Sequence, residues 1–270
     1  MRSKTLASLA VLSGLVALPA FAQVPNVPNS PRPKSIIAAL ESVPPHEVPA
    51  GNGSMAVKEF ANWAGYAVTG SSFTSVLGSW VVPAYHCLKT PNSDSFVFVG
   101  MDGYPTTNKT IEAVGTVANC VGTQYQYAAW YELGPTVTVI TGYTVKSGDL
   151  ISAEVSYGGG EFFVSISDLT QGWLYSTSAV VSGAKRSSAE WIVGRSTYLP
   201  PLMDFGKVNS GFDYTSITDS DWATDSSISG PISDFGSKVK INMVNGGVTL
   251  ATTSALTTDG SSFTVSWKHE

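Results

Sequence analysis

From residue 61 to the C-terminus, apolar and polar positions alternate with a period of two. "NWAGYAVTG", "FTSVLGSWVVP", "SFVFVGM", "QYQYAAWYE", "LISAEVSY", "EFFVSISD", "WLYSTSAVV", "AEWIVGRS", "SKVKINMV", "GVTLATTS" and "SFTVSWK" all follow it. Residues two apart share one face of a strand, and these stretches are rich in the Val, Tyr, Phe, Trp and Thr that suit a pleated surface. Turn signals separate them, among them Gly158-Gly159-Gly160 and Asn245-Gly246-Gly247. No stretch has a convincing helical period, and no repeat of propeller type is visible. Many short strands at regular spacing predict one all-β domain, a sandwich or a barrel. Ser and Thr opposite an apolar face fit sheets with one wet side.

The ends of the chain break this pattern. "MRSKTLASLAVLSGLVALPAFAQ" has a basic start, a short apolar run and a small-x-small site at Ala20-Phe21-Ala22. It reads as a secretory signal peptide over residues 1–22. Ser13, Gly14 and Pro19 interrupt the run, and no later segment is long and apolar enough to span a bilayer. Residues 23–58 carry Pro25, Pro28, Pro31, Pro33, Pro44, Pro45 and Pro49. Pro at that density favours an extended solvated chain, so the stretch is expected to be a pro-segment or a linker. The β domain is then residues 59–270. An exported protein, secreted or periplasmic, is the expectation.

Composition narrows the partners. Only 13% of residues are charged and the formal net charge is −5, which argues against nucleic acid, whose binding needs a basic face. The two cysteines, Cys87 and Cys120, are expected to form a disulfide in an exported chain. Closing that loop contributes about 3–4 kcal/mol in the chain-entropy view. The three histidines are scattered, and no metal-ligand spacing is present, so neither a metal nor a cofactor is expected.

Candidate chemistry rests on carboxylates. Asp102 ends "FVFVGMD" beside two glycines, Glu132 ends "AAWYE", and Glu190 lies inside "SSAEWIVG". Strand parity puts Trp130 and Glu132 on one face, Phe98 and Asp102 on one face, and Glu190 with Ile192. A carboxylate among apolar strand neighbours is costly to bury charged, so its pKa rises or a donor meets it, which is how a general acid or base is tuned.

The motifs "NWAGYAV", "GSWVVP", "VGMDG", "TIEAVGT", "AWYE", "SGDLI", "SAEWIV" and "DFG", in that order, resemble those of the glutamic peptidases called eqolisins, and the cysteine pair resembles the bacterial branch. The resemblance runs from about Asn62 to the C-terminus. It implies a sandwich of two long antiparallel sheets, of concanavalin or lectin-like type, and an acid endopeptidase acting on polypeptides, monomeric and away from membranes. It also implies a Glu/Gln dyad. Glu190 matches the Glu, which takes a proton from water and returns it to the leaving amine. The Gln position is held by Ala113, which can neither place a water nor donate to an oxyanion. Asp102, Trp130, Glu132 and Phe98 match positions lining the substrate groove. Phe98 stands where the family more often has Trp, and Gly194 follows "AEWIV" where an acidic residue is expected.

Ala113 divides the functional expectation. One reading is a glutamic endopeptidase impaired at its dyad, unless Gln124 or Gln126 supplies the missing amide from a neighbouring strand. The other is a non-catalytic sandwich that binds peptide or carbohydrate in the same groove.

Overall fold

Each of the eleven alternating stretches forms a strand, and strands dominate the computed structural model of the chain, which describes residues 47–48, 57–105, 107–196 and 201–269. The expected signal peptide, residues 1–22, and most of the 23–58 stretch lie outside the described residues. Two layers follow from the strand pairings. The first runs β1 (Glu47–Val48), β2 (Val57–Phe60), β16 (Val239–Asn245), β3 (Trp63–Thr69), β12 (Ser188–Gly194), β5 (Asp94–Asp102), β6 (Ile111–Val121), β7 (Gln124–Leu133) and β8 (Thr136–Ile140). The second runs β17 (Val248–Thr253), β18 (Ser262–Trp267), β13 (Lys207–Gly211), β4 (Ser75–Val81), β9 (Leu150–Gly158), β10 (Glu161–Asp168) and β11 (Trp173–Ala179). A short hairpin, β14 (Trp222–Thr224) with β15 (Ser229–Pro231), also joins β4. Among the described strands all pairings are antiparallel except β2 with β16, and an isolated bridge between Asp94 and Leu202 is also parallel. The β16–β17 hairpin turns at Asn245-Gly246-Gly247, carries a register shift at Met243/Val244, and links the layers. Helix among the described residues is confined to Phe212–Thr215 and a 3₁₀ turn at Ile232–Asp234. Of the two forms the alternation allows, sandwich and barrel, this is the β-sandwich that the family resemblance implies.

Between the layers lies the main core. Ala64, Tyr66, Val99, Met101, Val114, Trp191 and Val193 from the first layer meet Val76, Trp80, Ile151, Val155, Phe162 and Val164 from the second. Two indoles bridge the gap. Trp191 Nε1 donates to the Leu77 carbonyl at 2.7 Å and Trp80 Nε1 to Thr116 Oγ1 at 3.1 Å, so each buried N–H is paired. Cys87 and Cys120 are bonded, as expected, with Cα atoms 5.5 Å apart.

Two expectations need correcting. Pro density was expected to leave residues 23–58 an extended, solvated chain, yet Glu47 and Val48 pair with Phe60 and Glu59. The pair occupies the Pro-free gap between Pro45 and Pro49, at a sheet edge, where flanking prolines break no ladder. Sheets were also expected to keep one face wet. The second layer does, as the alternating burial of β9 and β10 shows. In the first layer β5 and β12 are buried on both faces, because Trp63, Phe96, Phe98, Trp130 and Ile192 form a second cluster on the outer side.

Candidate active site

The outer face of the first layer brings the carboxylates into register. Val239, Ala67, Glu190, Gly100, Ala113, Glu132 and Val137 are direct cross-strand partners in one row across β16, β3, β12, β5, β6, β7 and β8. Glu190 and Ala113 therefore lie two strands apart, roughly 9–10 Å between Cα atoms. Only Gly100 stands between them. A Cβ built there would lie 3.5 Å from the Ala113 Cβ and 3.3 Å from the Phe98 ring, so any larger residue would fill the space over this floor. Ala113 belongs to the outer cluster, away from the inter-layer core.

The next row is aromatic. Ile192, Phe98, Gly115, Trp130 and Val139 pair across the same strands. The Phe98 ring stands edge-on to Trp63 at 5.5 Å and to Trp130 at 5.7 Å. These rings wall the carboxylate row, and Glu190, Ala113 and Trp130 are all 0% exposed. From Glu190 to Ala113 the row is closed to solvent in this structure.

Burial decides the electrostatics. Glu190 is held well above the ordinary carboxylate range by desolvation, with the charges of Asp102 and Glu112 adding to the rise. Its Oε1 accepts the Tyr104 N–H at 3.2 Å, which offsets part of this, and Oε2 has no partner. Burial pushes Glu132 up to about 8. The Glu132 Oε2 and the Trp130 indole N–H also lack partners. Partnerless polar atoms in a buried row are costly, and their clustering on one face marks a site kept for something other than stability.

Two other acidic side chains behave differently from that row. Asp102 does not reach into it. Its Oδ1 accepts Asn108 Nδ2 at 2.5 Å, the Ser187 N–H at 2.8 Å and the Ser187 hydroxyl at 3.2 Å. Its Oδ2 accepts the Lys185 and Arg186 N–H groups, each at 2.7 Å. Glu112 faces the inter-layer side with Val114, so it cannot substitute for a side chain at 113. It is fully buried with both oxygens unpartnered, and burial, then the Asp102 and Glu132 charges, push it up to about 9.

Register also fixes what stands opposite Ala113. Its β7 partner is Glu132, while Gln126 pairs with Asn119 and Gln124 with Val121. Gln126 lies six residues along the strand, roughly 20 Å away. Neither glutamine can supply an amide to Glu190.

The sequence profile of the Peptidase A4 family matches residues 61–267. The chain belongs to this family. Among solved structures, scytalido-glutamic peptidase with a peptide-based transition-state analogue superposes with a TM-score of 0.62 at 22% identity, covering 77% of this chain and 98% of that one. SCP-B, a member of the eqolisin family in complex with the tripeptide Ala-Ile-His, gives 0.60 at 21%, with the same coverage. Aspergilloglutamic peptidase from Aspergillus niger gives 0.54 at 26%, over 65% of this chain and 99% of that one. No match was found among curated protein sequences. By family the chain is a glutamic peptidase, a hydrolase of polypeptides.

Within this Peptidase A4 chain, two contributors were not singled out from sequence. The Tyr104 backbone N–H touches Glu190, and Gly100 keeps the row open. Gly100 carried a usable signal, since a glycine inside a strand marks a close approach. A backbone donor on a loop carries none.

Proposed function

We propose that the chain is an exported acid endopeptidase of the glutamic type whose turnover is held down by Ala113. The observation that carries this reading is the row itself: Glu190 and position 113 share one face, with only Gly100 between them. Export is supported by the leader-like residues 1–22 and the Cys87–Cys120 bond.

Glu190 Oε1 is held by the Tyr104 N–H, so the unpartnered Oε2 is the oxygen placed to take a proton from water. The resulting hydroxide adds to the scissile carbonyl, and the protonated Glu190 then delivers its proton to the departing amine. Atoms balance: one water enters, and an acid and an amine leave. The negative oxygen formed in between needs a donor that is stronger toward it than toward the ground state. A glutamine at 113 would lie over Gly100 toward Glu190 and supply one. Ala113 supplies none. Asp102 no longer fits as a substrate contact, because its oxygens are occupied from within. Glu132, Trp130 and Phe98 remain as the wall of the subsite. Glu190 is fully buried, so a polypeptide reaches it only after part of the site opens.

The test is digestion of a denatured protein across acid pH by the parent chain, Ala113→Gln, and Ala113→Gln with Glu190→Gln. Restoring one oxyanion donor is worth about 10²–10³ in rate, and that gain is expected in the first variant and lost in the second. Glu190 must be ionised to act as base, so its raised pKa places the acid limb above the ~4.3 of an unperturbed Glu. Parent and Ala113→Gln both inert while folded and binding peptide would establish the binding-module reading. A parent already as active as Ala113→Gln would show that the missing amide is not needed.

A further inference from the structure

The five donors around Asp102 form a built device. Lys185, Arg186 and Ser187 present three consecutive backbone N–H groups to one carboxylate, and Arg186 has the positive φ (52°) that turns such a run into an anion-holding nest. The same loop is tied to the rest of the sandwich. The Phe73 N–H donates to the Arg186 carbonyl and the Gly70 N–H to the Ser187 carbonyl, each at 3.0 Å. The Arg186 guanidinium lies 4.1 Å over the Tyr157 ring. Asp102 is 0% exposed and itself has a positive φ of 65°, a conformation non-glycine residues adopt only when the surroundings hold them there.

Position along the chain gives this clamp a consequence. Ser187 directly precedes β12, and Glu190 follows three residues later. Tyr104, whose N–H holds Glu190 Oε1, follows Asp102 by two residues. We infer that Asp102 is the positioning residue of this site: seated in the 185–187 nest, it fixes the start of β12 and the Tyr104 N–H together, so Glu190 is held from both sides. It touches neither substrate nor the reacting atoms.

The inference rests on Glu190 being the working carboxylate. Its test reads Glu190 itself and needs no turnover, so its failure and the failure of the proposed peptidase reaction are distinguishable. The carboxyl groups whose charge acts on Glu190 are Asp102 from β5 and Glu112 from the opposite face of β6, Glu132 on β7 shares its row, and the Ser188 hydroxyl lies on its own strand. Asp102→Asn removes one of these charges, turns a carboxylate oxygen into an amide that cannot accept from the nest, and releases the segment to water. The lost charge and the admitted water favour ionised Glu190, and they outweigh the loosened Tyr104 N–H, which had favoured it. The Glu190 carboxyl, followed by carbon-13 NMR against pH, is expected to titrate about one unit or more lower in Asp102→Asn than in the parent. A midpoint left in place would overturn the inference; because loss of the Asp102 charge alone also lowers it, Asn108→Ala, which keeps that charge, separates positioning from electrostatics.

Asn108→Ala keeps the Asp102 charge, deletes one donor and leaves the three backbone donors, so it serves also if Asp102→Asn does not fold. The amides of Lys185, Arg186, Ser187 and Tyr104 are then expected to exchange with solvent faster together, by about tenfold or more, with β10 unaffected. Faster exchange at 185–187 with Tyr104 unchanged would break the proposed link.

Discussion

At the scale of single residues, the departures from the family pattern have different physical standing. Gly194 stands where an acidic residue was expected, and packing accounts for it. A Cβ there would lie 2.0 Å from the ring of Phe96, its cross-strand partner on β5. The ring is rigid and fully buried, and stands edge-on to Trp130 at 6.2 Å, so it cannot yield cheaply. Gly194→Ala is therefore expected to lose about 1–3 kcal/mol, read as a lower urea midpoint with an unchanged slope. Adding Phe96→Ala to that variant should recover part of the loss relative to Phe96→Ala alone. Additive losses would show that the two positions are uncoupled. Phe98 is simpler. It keeps the aromatic wall and brings no indole N–H, in a row where the Trp130 N–H already lacks a partner. Nothing in the packing around Ala113 explains why it is alanine.

At the scale of strands, parity and register carry different amounts of information. Parity was legible. Period-two alternation placed Trp130 with Glu132 and set Glu112 opposite to Ala113, because neighbouring strand residues must face opposite sides. Register was not read, because alternation within β6 or β7 is the same for every pairing and only the turn between them selects one. Pairing of Ala113 with Glu132, and not with Gln126, comes from the two-residue turn Gly122-Thr123 between β6 and β7. Asp102 shows the other limit. On parity it belonged to the site face, but its positive φ and the nest from a loop 83–85 residues away turn it aside. Long-range backbone donors leave no mark in a local pattern. The register yields its own test. In the Ala113→Gln chain, Gln126→Ala should leave kcat within about twofold, whereas Glu132→Ala, in the same row as Glu190, should lower it at least tenfold. A large loss at Gln126 would mean that the strand pairing differs in solution.

At the scale of the whole molecule, buried carboxyl groups set the response to pH. Asp94 is pushed up to about 7, Glu132 to about 8 and Glu112 to about 9, while Glu190 and Asp221 are raised well above the usual range. Desolvation is the leading cause in each. In the unfolded chain these groups titrate near 4. Below that pH both states hold the protons and the stabilising contribution is fully present. As pH climbs from about 4 toward 9, the folded state keeps protons the unfolded state has shed, so stability falls with rising pH. Asp204 works the other way. Burial would raise it, but the Gly206 N–H, Lys89 and His86 outweigh that and lower it, so its contribution is lost as pH falls. Among the described residues Asp204 and the exposed Asp259 are lowered, against seven raised carboxyls once Glu154 and Asp168 are included. Urea midpoints are therefore expected to be highest near pH 4 and to decline through pH 8, an order opposite to that of a protein unfolded by acid. Glu112→Gln isolates one member, since the amide keeps the shape and cannot ionise. Its midpoint should exceed the parent's at pH 8 by more than at pH 4. A midpoint that stays flat or rises between pH 4 and pH 8, with the Cys87–Cys120 bond intact, would mean that these carboxyl groups reach water in solution. The closed row around Glu190 would then be open before any substrate arrives.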